Sequence, residues 1–120
     1  MYKKGDIVSV NYTKGKRDKS LTKGKHLALV VSNDKHNASS DNITVVPLSS
    51  KTWKRNNKFN IFLAFDDEGL SEILYKDNIC MINQIQTVDN SRVVRKIVHL
   101  DTRCKKFKEI IRKLVNYITD

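Results

Sequence analysis

Apolar residues recur at every second position near the start of the chain, which predicts a β-strand with one buried face. Val8, Val10 and Tyr12 carry this alternation. Two continuous apolar runs, at residues 27–31 and 43–48, predict further strands that are buried on both faces. The first two-thirds of the chain are therefore expected to consist of short strands with loops between them.

Polar segments separate these strands and predict loops, because Gly, Asn, Asp and Ser favour turns. The two longest are residues 13–25, rich in Lys and Gly, and residues 32–42, rich in Asn, Asp and Ser. The pattern predicts three more strands, within residues 59–65, 79–82 and 93–100.

The period of the apolar positions changes at the C-terminus, where it predicts an amphipathic helix. Asp101 occupies the expected N-cap position, where a carboxylate accepts a backbone N–H of the first turn. The apolar positions follow helical spacing and predict one core-facing stripe, formed by Phe107, Ile110, Ile111, Leu114, Val115 and Ile118.

The composition is that of one globular domain over residues 1–120, with 39% hydrophobic and 30% charged residues. No apolar run approaches the roughly 20 residues of a membrane span. The N-terminus is charged and shows no secretory signal. Cys80 and Cys104 lie in no metal-binding or redox spacing. We therefore expect a cytoplasmic protein with reduced thiols and no cofactor.

The net charge of +10 is unevenly distributed along the chain. Residues 1–60 hold 13 Lys and Arg against 4 Asp and Glu, whereas residues 61–90 hold 1 against 6. Such an excess of positive charge attracts polyanions. A nucleic-acid partner and an idle basic surface both fit this charge.

Three stretches resemble the MazF/PemK toxins of type II toxin–antitoxin systems, in the order and spacing of that family. The first is residues 4–11 (KGDIVSVN). The second is residues 24–34 (GKHLALVVSND), continuing into 43–51 (ITVVPLSSK). The third is residues 82–89 (INQIQTVD), followed by Ser91-Arg92 and by residues 96–100 (KIVHL).

The resemblance implies a small Src-homology-three-like β-barrel with a C-terminal helix, of the CcdB/MazF plasmid-maintenance-toxin type. It also implies a homodimer that cuts single-stranded RNA without a metal ion, inhibits translation and is held inactive by a cognate acidic antitoxin.

The chain departs from the family pattern at the expected active site. His26 stands at the position of the family's catalytic Arg, Ser49 at that of its catalytic Thr, and Gln86 at that of the Arg in the third motif. An imidazole can act as acid or base near neutral pH, or partly replace a cation. Ser49 keeps a hydroxyl that can hold a phosphoryl oxygen. We take His26 and Ser49 as candidate catalytic residues.

Basic residues around these two positions are candidates for holding an RNA backbone. Trp53 lies among them and either stacks an unpaired base or packs under its own loop or at a dimer contact. The predicted RNA-binding residues are Lys14, Lys16, Lys25, Lys51, Trp53, Lys54, Arg55 and Gln86.

Two other functions remain open from the sequence. A catalytically degenerate MazF-like barrel would bind RNA or a protein partner without cutting, and a CcdB-like toxin would poison gyrase. His36 and His99 lie far apart in the sequence, so no metal site is predicted.

Overall fold

The computed structural model describes residues 1–12, 25–64 and 77–119. In these ranges the chain forms seven strands: β1 Asp6–Asn11, β2 Lys25–Val30, β3 Asn42–Ser49, β4 Asn60–Leu63, β5 Asn78–Met81, β6 Gln86–Asp89 and β7 Val93–His99. Two α-helices accompany them, α1 Asp34–Ser39 and α2 Lys105–Thr119. Short 3₁₀ turns span Thr52–Asn56, Ile82–Gln84 and Asn90–Arg92.

The strands form one antiparallel sheet in the order β4-β5-β3-β2-β1-β7, and β6 also pairs with β3. The predicted mainly β fold with a C-terminal helix is confirmed. The sheet does not close into a full barrel, because no ladder within the described ranges joins β7 to β6 or to β4.

Each face of the sheet carries its own apolar cluster, since successive side chains of a strand point to opposite faces. On one face, Ile7, Leu29 and Val46 pack with the buried residues of α2. We call the opposite face the inner face; its cluster consists of Val8, Val10, Tyr12, Ala28, Val30, Ile43, Val45, Val88 and Val93.

The apolar stripe predicted for α2 is buried only in part. Phe107, Ile110 and Leu114 are buried as expected. The prediction is wrong for Val115 and Ile118, which are 50% and 68% exposed. Val115 and Ile118 therefore lie outside the part of the helix surface that packs on the core.

Two local predictions are also wrong. Residues 32–42 were expected to be a loop but contain α1, which Asn33 caps by accepting the His36 N–H at 2.7 Å. Asp101 is not the N-cap of α2: its carboxylate accepts the Arg103 N–H in the preceding turn. The residue directly before the helix is Cys104, whose Sγ accepts the Phe107 N–H at 3.4 Å.

Candidate functional site

His26 lies near the start of β2, where it pairs with Val10 of β1 and is exposed. It shares the inner face with Ala28 and Val30, because strand side chains alternate. Its imidazole lies beside the ring of Tyr12, with 6.3 Å between the ring centroids and 46° between the planes. The sheet thus presents an exposed imidazole at the end of its inner face.

Ser49 is the last residue of β3, and the pairing of β2 with β3 brings it to the same end of the sheet. Ala28 pairs with Pro47, and counting two residues outward along each strand reaches His26 and Ser49. Ser49 alternates with Val45 and Pro47, so it also belongs to the inner face. The two candidate catalytic residues therefore share one face and one end of adjacent strands.

The Ser49 hydroxyl already takes part in one hydrogen bond. Its Oγ accepts the Lys51 N–H at 3.1 Å, which fixes the turn that leaves β3. A hydroxyl can donate while it accepts, so Ser49 can still offer its proton to an oxygen of a bound molecule. Ser49 is half-buried, and its partner on β5 is Ile79.

Trp53 is presented to solvent directly after this end of β3. It lies in the 3₁₀ turn Thr52–Asn56 and is 72% exposed. The alternative that it packs under its own loop is therefore wrong. Lys51 is exposed beside it, and the backbones of Lys54 and Arg55 belong to the same turn. An exposed aromatic ring among basic residues is suited to stacking on a base.

Comparison with known proteins identifies the family of the chain. Residues 3–117 match the family of the PemK-like, MazF-like toxin of type II toxin-antitoxin system. The chain belongs to this family.

Solved structures show the same fold at low sequence identity. MazF from Deinococcus radiodurans is 18% identical, with a TM-score of 0.74 over 99% of this chain and 97% of that one. The Mycobacterium tuberculosis toxin MazF-mt6 is 12% identical, with a TM-score of 0.70 over 94% and 95%. A mycobacterial endoribonuclease solved with its cognate antitoxin is 13% identical, with a TM-score of 0.69 over 97% and 96%. No curated protein matches the sequence.

Gln86, the third residue that the sequence predicts to differ from the PemK/MazF pattern, lies further away from His26 and Ser49 than these two lie from each other. It pairs with Val45, four residues back along β3 from Ser49, which is roughly 13 Å of strand. Its Nε2 donates to the Gln84 carbonyl at 3.5 Å. Gln86 therefore shares the inner face with His26 and Ser49 but not their end of the sheet.

Some predicted features of this PemK/MazF-family chain lie outside the described residues. They include Lys14 and Lys16, the rest of the 13–24 segment, and the acidic residues of segment 65–76. For Lys25, Lys54 and Arg55 the structure describes the backbone but not the side chain.

Sequence reasoning assigned Tyr12 to the core and missed its place beside His26. The side chain is 4% exposed, as the alternation with Val8 and Val10 predicts. Burial raises the pKa of the phenol well above its usual range, so the hydroxyl stays protonated at physiological pH. Among the described residues, none forms a hydrogen bond with its Oη. No sequence signal distinguishes such a tyrosine from an ordinary core residue.

The other histidines have structural surroundings. His99 donates from Nδ1 to the buried carboxylate of Asp6 at 2.8 Å, at the opposite end of β1 from Val10 and His26. The Nε2 of His36 lies 3.0 Å from Asn42 Oδ1. Within the described part of the chain, no group of three or more His, Cys, Asp or Glu side chains is arranged to hold a metal ion. Neither described helix is long and apolar enough to cross a membrane.

Proposed function

We propose that this chain is the toxin of a type II toxin–antitoxin system and acts as an endoribonuclease. It cuts single-stranded RNA at short sequences without a metal ion and so inhibits translation. The observation that carries the proposal is the placement of His26 and Ser49 on one face, at one end of adjacent strands. The chain's membership of the PemK/MazF family supports it.

The chemistry suited to these groups uses the RNA's own 2′-oxygen as nucleophile. That oxygen attacks the adjacent phosphorus, a 2′,3′-cyclic phosphate forms, and the bond from phosphorus to the 5′-oxygen breaks. A base removes the 2′-proton, an acid protonates the leaving 5′-oxygen, and donors stabilise the phosphoryl oxygens. In this proposal His26 performs a proton transfer or supplies a cation, and the Ser49 hydroxyl donates to a phosphoryl oxygen.

The surroundings of Ser49 support RNA binding at this end of the sheet. Lys51 and Trp53 are exposed after β3, where they can contact a phosphate and stack on a base. The excess of 9 positive charges over residues 1–60 favours a polyanion. The proposed RNA contacts are Lys14, Lys16, Lys25, Lys51, Trp53, Lys54, Arg55 and Gln86.

The proposed partners are a cognate acidic antitoxin and a second copy of the chain, in the cytoplasm. A mycobacterial endoribonuclease with this fold was solved in complex with its cognate antitoxin, and MazF from Deinococcus radiodurans was solved with MazE. An acidic, disordered peptide would gain electrostatic steering from the positive charge that attracts RNA. We therefore propose that the antitoxin and RNA compete for one surface.

The central test is incubation of the pure protein with a long mixed-sequence RNA in excess EDTA, between pH 5 and 8. We expect discrete fragments that carry a cyclic phosphate and a 5′-hydroxyl. Absence of new fragments across this range, with RNA still bound, would favour the catalytically degenerate binding module instead.

Variants of His26 separate its two proposed roles. His26→Ala should lower the cleavage rate by about two to four orders of magnitude if a positioned acid or base is lost. His26→Arg should keep activity and flatten its pH profile if His26 is only a cation, because Arg stays charged throughout. If His26 transfers a proton, the Arg variant should bind RNA but not cut it.

The matched control is His36→Ala, since His36 is also exposed but lies on α1. It should cleave at the wild-type rate. Wild-type cleavage by His26→Ala, with an unchanged pH profile, would remove His26 from the mechanism.

A further inference from the structure

We infer that Tyr12 is a further RNA-contacting residue of the proposed site, and that its hydroxyl, which has no hydrogen-bond partner among the described residues, donates a hydrogen bond to an oxygen of bound RNA. The inference rests on the proposed function and extends it to a residue that the family motifs do not single out.

The first observation concerns the buried hydroxyl of Tyr12. Tyr12 is 96% buried, and Oη has no hydrogen-bond partner among the described residues. Buried hydroxyls are normally paired, because leaving one unpaired sacrifices the hydrogen bonds it makes to water. Phenylalanine would fill the same apolar cluster without this cost. A tyrosine at this position therefore lowers the stability of the free protein relative to phenylalanine. A contact between the hydroxyl and bound RNA would explain why a tyrosine stands here.

The second observation is the position of the ring. It lies 6.3 Å from the His26 imidazole, centroid to centroid, and it belongs to the inner-face cluster. Strand pairing fixes this neighbourhood, since Val10 pairs with His26 and Asn11 with Lys25. An RNA nucleotide that contacts His26 is therefore brought next to Tyr12.

The chemistry favours a donor role. A phenol titrates at about pH 10 and burial raises the pKa of Tyr12 further, so its hydroxyl is protonated at physiological pH, can donate and does not serve as a base. RNA offers acceptor oxygens on its phosphates, sugars and bases. Since Oη is covered in the free protein, the contact requires that RNA binding uncovers it.

The test is Tyr12→Phe, which keeps the ring and removes only the hydroxyl. We expect a melting temperature equal to or above that of the wild type, because an unpaired polar atom is removed. We expect the affinity for a long mixed-sequence RNA methylated at its 2′-oxygens, which cannot be cleaved, to fall roughly tenfold. The cleavage rate on unmethylated RNA at low concentration should fall with it.

The matched control is Tyr2→Phe. Tyr2 packs against the same cluster but precedes β1 at the end away from His26. Its hydroxyl should be irrelevant to RNA binding.

Two results with Tyr12→Phe would overturn the inference. A lower melting temperature would mean that the hydroxyl is already paired in the free protein. Wild-type affinity and cleavage would mean that it contacts no RNA. These results can be told apart from a failure of the proposed function, because in that case the wild-type protein itself would not cut RNA. If the wild type binds RNA without cutting, the affinity measurement still decides the role of Tyr12; if it binds no RNA, the inference fails too.

Discussion

Asp6 lies in the first family-like motif, and its surroundings predict a role in stability rather than in cleavage. Its side chain is 1% exposed. Oδ2 accepts the Lys3 N–H at 2.9 Å, and Oδ1 accepts from His99 Nδ1 at 2.8 Å. Lys96 Nζ lies 3.8 Å from the same Oδ1. The carboxylate thus ties the start of β1 to the N-terminal segment and to the end of β7.

The cost of Asp6→Asn follows from these contacts. An asparagine has the same shape but no charge and only one acceptor oxygen, so its NH₂ group must face either the Lys3 N–H or the His99 ring. Nδ1 of the exposed His99 ring can accept from that NH₂ group in its other neutral tautomer, so both hydrogen bonds can be kept in neutral form. A hydrogen bond to a charged group is worth about 1.5–3 kcal/mol and one between neutral groups about 0.5–1.5 kcal/mol, so we expect the free energy of unfolding to fall by about 1–3 kcal/mol. For a chain of this length that corresponds to roughly 5–10 °C in melting temperature.

Urea denaturation and RNA cleavage together test this assignment. Asp41→Asn is the matched control, because Asp41 is exposed and should change stability by less than about 0.5 kcal/mol. Cleavage per folded molecule should be unchanged in both variants, since Asp6 begins β1 and His26 of β2 pairs with Val10, near the other end of that strand. An Asp6→Asn protein of normal stability that had lost cleavage would refute the reasoning and place Asp6 in the chemistry.

Three other predictions concern the site, the partner and the core. Trp53→Ala should weaken RNA binding by about 1–3 kcal/mol with almost no change in the free energy of unfolding. The control Asn56→Ala, on the same turn, should change neither RNA affinity nor stability. A large loss of stability in Trp53→Ala would instead show that Trp53 packs against the protein. A cognate acidic antitoxin should displace RNA in a competition assay, and simultaneous binding of both would contradict a shared surface. Burial raises the pKa of Cys80 to about 12, so the stability that its protonated thiol contributes is present below the unfolded pKa near 8.5 and lost above it. The free energy of unfolding of the wild type should therefore fall as the pH rises from about 9 to 11. In Cys80→Ala the slope of this fall should be smaller by about 1.4 kcal/mol per pH unit, measured by urea titrations at several pH values. An equal slope in the two proteins would show that the Cys80 thiol does not contribute to the pH dependence.

The spacing of apolar residues along the sequence was enough to predict the strands that contribute most of the core residues. The runs at 27–31 and 43–48 correspond to β2 and β3, and the alternation at the start corresponds to β1. These runs are unambiguous because nearly every residue in them is buried on one face or the other. β6 was not predicted, since its four residues, QTVD, bury only Val88 fully and leave too short a pattern to detect.

The local errors arose where a polar side chain had more than one backbone partner available. Asn33 stands in a polar segment that predicts a loop, but its Oδ1 accepts the His36 N–H and starts α1. Asp101 occupies a position typical of a helix cap, but its carboxylate accepts the Arg103 N–H in the turn before α2, which begins at Lys105. Asn and Asp stabilise turns and helix starts by the same bond, so composition alone does not choose between them.

The candidate site was predicted from motif position, and sheet register explains why two distant motifs meet. His26 and Ser49 are 23 positions apart in the sequence, but the pairing of Ala28 with Pro47 brings them to one end of the sheet. Gln86 pairs with Val45, so the register of β3 with β6 keeps it away from the end of the sheet where His26 and Ser49 lie. The sequence does not predict a role for Tyr12, because its pattern is that of any buried strand residue. It is distinguished by the neighbouring His26 imidazole and by a hydroxyl without a hydrogen-bond partner among the described residues.

The two ends of β1 differ in how strongly the structure constrains the side chains placed there. At the Asp6 end, a buried carboxylate with two hydrogen-bond donors allows few substitutions, because any neutral replacement loses its charge-assisted hydrogen bonds. Near the other end, His26 is exposed and Ser49 half-buried, so substitutions at these two positions make little demand on packing. Agreement of folds therefore says little about activity at this end of the sheet, since fold and function can change independently. It follows that His26→Arg should fold as stably as the wild type, and any difference between the two in cleavage can be attributed to the chemistry of the side chain.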